Sequence, residues 1–315
     1  AQVGHPRLSI VIPCFNGETT LSRCLSSINQ SSLSSQVQVI VVDDGSNDDS
    51  IKVANQCFAN MQFHDSSAIV PQENKGAPGA RNTGLRFVVG PRVIFLDVDD
   101  FFLDGFVDFM VDSTESSTDV IAGNYCHAFN HALTNVLFPP EMDIPTAILQ
   151  GRFTIPGAIA VKTEVARGHL WNTRLSADQD GEWTGRLLLS GQSITFHQEV
   201  SLAYSLENTN SISRKASRKS LESRADVCEI LLEMLNNSDS IPEDIKSTYR
   251  HFLAQRLDSI AFSQFHVNPT FCKRLYRRAR EISSKYTPLY NGKSGLLRKL
   301  LGFHFASRTL MLARR

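Results

Sequence analysis

Several common sequence signals are missing from this 315-residue chain. No window approaches the ~20 consecutive apolar residues of a membrane-spanning helix, and residues 1–7 hold no apolar stretch of signal-peptide length. The six cysteines show neither CxxC nor another zinc-type spacing, and they suggest no disulfide framework. We therefore expect a protein of the reducing cytoplasm, either soluble or peripheral at the inner face of a membrane.

Two common phosphate-binding motifs are also missing. The first predicted strand leads into Pro13-Cys14-Phe15-Asn16-Gly17 rather than into GxGxxG, which argues against a nicotinamide or flavin dinucleotide site. The lysine motif of P-loop proteins does not occur either. Any bound phosphate must then be met by a metal ion and by arginine or lysine.

Acidic and basic residues balance in number but not in position. The chain has 32 Lys and Arg and 32 Asp and Glu, yet residues 270–315 contain 12 of the basic residues and a single acid, Glu281. This basic tail predicts an anionic partner, and the apolar residues within 296–303 favour contact with a membrane surface. Packing of the same tail on the acidic remainder of the chain is an equal alternative. We expect no nucleic-acid partner.

The first half of the chain alternates strands and helices. Continuous β-branched and apolar runs predict buried strands, and apolar residues at helical spacing predict the helices between them. Ser46 with Asp49 predicts a capping box before the second helix. This rhythm indicates an α/β fold with a doubly wound, mostly parallel sheet. The predicted strands are 8–13, 37–42, 68–70 and 92–97, and the predicted helices are 19–28, 51–58 and 76–88.

The second half changes from mixed to helical. Strands are predicted over 120–123 and 157–161 and helices over 104–112 and 182–189, followed only by helices over 221–235, 245–265, 271–284 and 296–313. The Asn- and Ser-rich stretch 207–213 marks a boundary. We predict an α/β catalytic domain over 1–210 and a basic α-helical C-terminal extension over 211–315.

Three carboxylates end one of the predicted strands. Asp97, Asp99 and Asp100 follow the apolar run 93–96, at the sheet edge where open α/β folds bind ligands. Acids so close together need a cation or strong donors, and oxygen ligands suit Mg²⁺ or Mn²⁺. A solvated turn before the next helix is the alternative.

Four segments, each after a predicted strand, occur in a familiar order. The sequence resembles the family-2 glycosyltransferases, inverting enzymes with a GT-A fold and a Rossmann-like nucleotide-binding half. The resemblance covers roughly residues 7–205. The four segments are Ser9-Ile10-Val11-Ile12-Pro13-Cys14-Phe15-Asn16, Val41-Val42-Asp43-Asp44-Gly45-Ser46, Asn74-Lys75-Gly76-Ala77-Pro78-Gly79-Ala80-Arg81-Asn82-Thr83-Gly84 and Phe95-Leu96-Asp97-Val98-Asp99-Asp100.

The residue chemistry suggests a nucleotide site in these segments. Phe15 can stack on a base, and one aspartate of the 43–44 pair can accept a base N–H. Arg81 can reach a diphosphate with two N–H groups. The alternatives are a core Phe15, a turn-shaping Asp44 and a surface Arg81. The predicted nucleotide-sugar-binding residues are Pro13, Phe15, Asn16, Asp43, Asp44, Arg81 and Asp97.

The resemblance also implies a metal and a base. Asp99 would ligate Mn²⁺ or Mg²⁺, with Asp97 holding the ribose or the metal's waters. Family members carry a Glu-Asp pair before an arginine in the later helix, and Gln179-Asp180 matches it with Gln in place of Glu. Asp180 is the predicted general base, followed by Glu182 and then Asp178. In the same segment, Trp183 is a candidate acceptor-site residue, with core packing as the alternative.

The function implied is a metal-dependent, inverting sugar transfer from a nucleotide-diphosphate sugar, with a UDP-sugar favoured, to a saccharide or lipid-linked hydroxyl. Two alternatives remain from the sequence. One is a glycosyltransferase-like protein that only binds or scaffolds. The other is a sugar nucleotidyltransferase, although that chemistry calls for a Gly- and Arg/Lys-rich loop after the first strand, which is not present.

Overall fold

A four-stranded parallel sheet forms the first part of the fold. The computed structural model describes residues 4–129, 132–136, 155–206 and 217–288. The strands β1, β2 and β4 are buried along their whole length, as their continuous apolar sequences predict. Their order in the sheet is β3-β2-β1-β4. The four strands are β1 (Leu8–Cys14), β2 (Val37–Asp43), β3 (Ala68–Pro71) and β4 (Arg92–Phe95).

Beyond β4 the sheet continues with strands of both directions. The order from β4 is β8-β6-β9-β5, and β7 pairs with β6 outside this path. Strand β8 is antiparallel to β4 and β6, whereas β9 is parallel to β6. These strands are β5 (Phe101–Phe102), β6 (Val120–Phe129), β7 (Ala132–Val136), β8 (Ile159–Lys162) and β9 (Ile194–Ser205).

Helices pack on this sheet over one apolar core. One of them, α3, lies very close to the strands: a Cβ added at Gly84 would come within 2.3 Å of Val11 Cγ1 and 3.1 Å of Val42 Cγ2. Only glycine therefore allows this approach of α3 to β1 and β2. The helices are α1 (Leu21–Asn29), α2 (Ser50–Asn60), α3 (Gly76–Leu85), α4 (Phe106–Asp112) and α5 (Thr163–Gly168).

Four further helices share a second apolar core. They are α6 (Gln179–Leu189), α7 (Arg218–Asn237), α8 (Glu243–Ser263) and α9 (Pro269–Ile282). Gly185 of α6 faces Leu231 of α7 so closely that a Cβ would lie 2.7 Å from the leucine side chain. None of the helices in the described residues is long and apolar enough to cross a membrane. The predicted helix 296–313 lies outside the described residues.

The chain divides into two compact units. The first comprises the described residues of Ala1–Met142, Ile155–Thr173 and Gln192–Thr209, and the second those of Asp143–Thr154, Arg174–Gly191 and Asn210–Arg315. The segment 174–191, which the sequence groups with residues 1–210, thus belongs with the C-terminal helices by its contacts. Helix α6 accounts for this grouping because it packs on α7.

Two buried or half-buried charges fix the start of β6. The fully buried Arg92 guanidinium donates to four backbone carbonyls between residues 114 and 119. The Asp119 carboxylate accepts hydrogen bonds from Ser193 and from Lys162. These contacts, the Ser193 hydroxyl first, lower the pKa of Asp119 to about 2. Charged groups here therefore serve the fold.

The predicted capping box before α2 is wrong. The residue that precedes the helix is Asp49, and its side chain makes no cap hydrogen bond. Ser46 Oγ instead accepts a hydrogen bond from the backbone N–H of Asn16. Asp48 Oδ1 accepts from the Ser50 N–H at the start of the helix. The spacing of Ser46 and Asp49 matches a capping box, but the Ser46 hydroxyl is bound to the loop after β1 instead.

Candidate functional site

The loops after β1 and β2 are joined by reciprocal hydrogen bonds. Asn16, which has a φ of 52°, donates its backbone N–H to Ser46 Oγ and accepts from the Asn47 N–H through Oδ1, both at 2.9 Å. Glu18 Oε2 accepts from the Asp49 N–H at 3.0 Å. The amide of Asn16 therefore serves the loop geometry at this end of the sheet.

Phe15 is an exposed aromatic side chain of the loop after β1. It is 47% exposed, so its ring is open to stacking, and the core alternative does not apply. Pro13 is buried within β1 opposite Val42, where it contributes to the strand. Burial raises the pKa of the Cys14 thiol to about 11, which favours its neutral form.

The two aspartates after β2 are both buried but have different environments. Asp44 Oδ1 accepts hydrogen bonds from Gln72 Nε2 at 2.6 Å and from the Lys75 N–H at 2.8 Å, which leaves its Oδ2 for a ligand. Asp43 Oδ2 accepts from the Ser46 N–H at 3.3 Å, while its Oδ1 is buried without a hydrogen-bond partner. Both carboxylates thus keep an oxygen that the described protein donors do not use.

Arg81 lies inside the site, not on the surface. Its residue is 2% exposed, and its Nη2 contacts Asp97 Oδ1 at 2.5 Å. The guanidinium also lies over the Trp171 ring, with Cζ 4.2 Å from the ring centroid, and Trp171 makes an edge contact with Phe95 of β4. Sequence reasoning missed Trp171, because nothing local connects it to a helix 90 residues earlier.

Asn82, next to Arg81 on α3, holds the backbone of this tryptophan. Asn82 Nδ2 donates to the Trp171 carbonyl at 2.9 Å, and Asn82 Oδ1 accepts from the Trp171 N–H at 2.8 Å. The residue that follows the arginine in the motif therefore secures the loop after α5.

The last two aspartates of the acidic motif differ in role. Asp100 is 1% exposed, and its Oδ1 accepts from the Ser205 N–H of β9 at 2.9 Å, so it anchors the motif to the sheet. Asp99 is half-buried, and its backbone carbonyl accepts from Arg23 Nη2 of α1 at 3.0 Å. Asp99 and Asp97 are thus the motif carboxylates that lie nearer the surface.

These two carboxylates offer oxygen atoms of the kind that a divalent cation takes. Among the described residues, no group of three or more His, Cys, Asp or Glu side chains is arranged to hold a metal. A half-buried Asp97–Asp99 pair offers oxygen donors but no complete cage. Mg²⁺ and Mn²⁺ commonly keep waters and take phosphate oxygens beside one or two carboxylates, so the donor set is chemically suitable.

The second set of predicted residues lies at the start of α6, in the other compact unit. Asp178 precedes the helix with a φ of 61°, and its Oδ2 forms an ion pair with Arg256 of α8. Gly181 accommodates this pair, since a Cβ there would lie 2.7 Å from Asp178 Oδ1 and 2.9 Å from Arg256 Nη2. Asp178 is therefore a structural link between two helices.

Glu182 and Trp183 are buried in the same helix. Glu182 Oε1 accepts from Arg186 Nε at 2.6 Å, one turn later, and the glutamate is 2% exposed. Trp183 is 0% exposed, which favours the core-packing alternative over an acceptor-facing ring. Asp180 is half-buried, and its carbonyl accepts from Thr184 Oγ1. The base and acceptor assignments stay predictions.

The structure thus brings the predicted residues together in two sets. The nucleotide-site set lies in the first unit, at the carboxyl ends of β1, β2 and β4 and at Arg81 of α3. The set around Asp180 lies in the second unit.

Comparison with known proteins identifies the class. A profile described as Glycosyl transferase family 2 matches residues 9–158, and this part of the chain is a family-2 glycosyltransferase domain. The resemblance drawn from the four segments is therefore confirmed.

One curated relative aligns over most of the chain. Glycosyltransferase GlyA of Streptococcus pneumoniae is 24% identical over 299 residues, which cover 86% of this chain and 42% of that protein. The chain spans between about a third and a half of the length of GlyA and the other leading curated relatives.

Two solved structures show the same fold. Staphylococcus aureus TarS 1–349, in complex with UDP-GlcNAc, superposes with a TM-score of 0.71 at 17% identity, covering 98% of this chain and 91% of that chain. The Pyrobaculum calidifontis mannosyltransferase PcManGT, in complex with GDP-Man and Mn²⁺, gives a TM-score of 0.55 at 15% identity, covering 98% and 84%. The predicted GT-A-type α/β fold with C-terminal helices is confirmed.

Proposed function

We propose that this protein transfers a sugar from a nucleotide-diphosphate sugar to a hydroxyl acceptor, with inversion at the anomeric carbon and with help from a divalent cation. The family-2 domain over 9–158 supports the reaction class.

One observation carries the proposal: complementary nucleotide-binding groups meet at a single sheet edge. Phe15 offers an exposed ring, Asp44 keeps Oδ2 as an acceptor for a base N–H, and Arg81 is held against Asp97. A ring, a fixed acceptor and a guanidinium are the groups needed for a base, its N–H edge and a phosphate. A scaffold protein would not require this combination.

The cation would be held by Asp99 with Asp97 nearby. When bound, Mn²⁺ or Mg²⁺ would neutralise charge on the departing nucleoside diphosphate. The PcManGT complex with Mn²⁺ supports this for a protein of the same fold. Arg81 would contribute a second positive group toward the diphosphate.

Asp180 is the proposed general base. The acceptor oxygen attacks the anomeric carbon as Asp180 removes its proton, and the bond from that carbon to the diphosphate oxygen breaks with its electron pair leaving on the nucleotide. The other two candidate acids, Asp178 and Glu182, are each bound to an arginine. Asp180 is preferred because Gln179-Asp180 matches the Glu-Asp pair that family members carry before an arginine in this helix.

The donor is proposed to be a UDP-sugar and the acceptor a saccharide or lipid-linked hydroxyl. The TarS complex with UDP-GlcNAc supports a uridine donor for a protein of this fold. Contact of the basic tail with a membrane stays a prediction, since residues 289–315 lie outside the described residues.

The test is nucleotide binding followed by donor hydrolysis. Thermal shift and calorimetry would compare UDP, GDP, CMP and dTDP with Mn²⁺, with Mg²⁺ and with EDTA. We expect one nucleotide to bind with metal and to lose about tenfold or more in affinity in Asp99→Asn, since one ligand oxygen loses its charge.

The matched control is Asp104→Asn, an exposed aspartate five residues later. It should leave both nucleotide affinity and hydrolysis unchanged. If no nucleotide binds under any metal, the transferase proposal is wrong and a scaffold on this fold remains. Binding without hydrolysis of any donor would also favour a non-catalytic protein.

A further inference from the structure

Trp171 stands at the centre of a chain of contacts that ends at the nucleotide site. Asn82 fixes its backbone with two hydrogen bonds, and Phe95 of β4 contacts its ring with centroids 5.3 Å apart. The guanidinium of Arg81 lies over the indole, with Cζ 4.2 Å from the ring centroid. Arg81 in turn holds Asp97.

The indole constrains the guanidinium in a way that the ion pair alone does not. The contact from Nη2 to Asp97 fixes the position of one guanidinium nitrogen. An aromatic face fixes the plane, and the attraction of a cation to the indole is strongest where water is excluded. Trp171 and Arg81 are each 2% exposed, so the contact is desolvated.

We propose that Trp171 is a positioning residue for donor binding: it sets the plane of Arg81 and, through the Arg81–Asp97 pair, the direction of the Asp97 carboxylate. It does not touch the donor itself. This inference rests on the proposed function, because it assigns the work of Arg81 and Asp97 to the nucleotide-diphosphate sugar.

Asn82 gains a role by the same argument. Its amide hydrogen-bonds both the C=O and the N–H of Trp171, and so ties the loop after α5 to helix α3. The neighbouring residues Arg81 and Asn82 thus act together. Arg81 is the residue proposed to face the donor, and Asn82 holds the tryptophan on which Arg81 lies.

The experiment is a double-mutant cycle between Trp171→Leu and Arg81→Lys, measured as the affinity for UDP with Mn²⁺ and as the KM and kcat of donor hydrolysis. Trp171→Leu should weaken UDP binding and raise the donor KM by about tenfold, with a smaller change in kcat. In the Arg81→Lys background the same substitution should have much less effect, because residues that act through one another are not additive.

Two further variants separate positioning from simple packing. Trp171→Phe keeps an aromatic face and should recover most of the UDP affinity. Phe106→Leu removes part of another buried ring in the same unit and should lower the melting temperature without changing the donor KM.

The outcomes divide cleanly between the two proposals. Additive effects in the cycle, or an unchanged UDP affinity in folded Trp171→Leu, would overturn the positioning role while leaving the transferase proposal intact. If Trp171→Leu fails to fold, the Trp171→Phe arm decides: loss of affinity equal in both Arg81 backgrounds overturns the role. Absence of nucleotide binding in the wild type would instead remove the proposed function.

Discussion

The acidic residues of the two units differ in exposure and in the groups that bind them. At the sheet edge of the first unit, the carboxylates divide the work: Asp100 anchors the motif to β9, whereas Asp99 and Asp97 lie nearer the surface. At the start of α6 in the second unit, Asp178 and Glu182 are each bound by an arginine. A cluster of acids in a sequence therefore does not show which member does chemistry.

What separates the acids is the partner that the fold supplies. At the sheet edge, a backbone N–H orients Asp100 and the Arg81 guanidinium contacts Asp97. At the helix start, both Asp178 and Glu182 are paired with guanidinium groups of their own unit. The partner depends on residues far away in sequence, such as Ser205 for Asp100 and Arg256 for Asp178. Four substitutions test this contrast, from the largest expected effect to the smallest.

Asp180→Asn should give the largest effect on activity. Asparagine cannot accept the proton, so kcat for donor hydrolysis should fall by about 10³-fold, with the UDP affinity unchanged. Glu182→Gln is the comparison variant, because its carboxylate is bound to Arg186. A larger kcat loss in folded Glu182→Gln than in Asp180→Asn would move the base to Glu182.

Asp178→Ala should destabilise the helical unit most. The substitution removes the ion pair between Arg256 and Asp178. An uncompensated buried charge lowers the free energy of unfolding by about 3 kcal/mol. Chemical denaturation would measure the change. The double variant with Arg256→Met removes the stranded charge and should recover much of the loss. No recovery would mean that the aspartate acts through its position before α6 and not through the pair.

Asp44→Asn should weaken nucleotide binding by about tenfold, since a charged acceptor is replaced by a neutral one. The amide oxygen can still accept from Gln72 and Lys75, so the melting temperature should change little. Calorimetry with UDP measures the affinity. An unchanged affinity would mean that Asp44 does not bind the nucleobase, and that Asp43 or a residue outside the 43–44 pair does so.

Ser193→Ala should have the smallest effect and a dependence on pH. The lowered pKa of Asp119 means that its carboxylate stabilises the fold above about pH 4, and this contribution is lost as the pH falls toward 2. Removing the hydroxyl should cost roughly 1 kcal/mol at pH 7 and less at pH 3. Urea unfolding at both pH values provides the measurement, and an equal loss at both would contradict the assignment to Asp119.

The sequence was sufficient for the parallel half of the sheet. Continuous apolar runs such as 37–42 report burial directly, and β1, β2 and α1 are found close to the predicted positions. Strand β9 was missed because it mixes polar and apolar residues and pairs with β6 through a register shift near Asn124. That pairing depends on long-range partners and leaves no local pattern.

The two tryptophans illustrate the same limit at the site. The sequence drew attention to Trp183 because it adjoins the predicted base, yet its side chain is fully buried. Trp171, in a loop without a motif, contacts Arg81. Residue type and neighbourhood in the sequence could not distinguish the two, because the deciding contact joins residues 90 positions apart.

The interlocked loops after β1 and β2 have a consequence for how quickly a ligand can be captured. Hydrogen bonds within the protein join the two loops, through Asn16 and Glu18 of the first and Ser46, Asn47 and Asp49 of the second. The two loops that carry Phe15 and Asp44 are therefore ordered before any nucleotide binds, and little conformational entropy is lost in them on binding. Association at this edge should follow a single diffusion-controlled phase, without a slow step for ordering of these two loops.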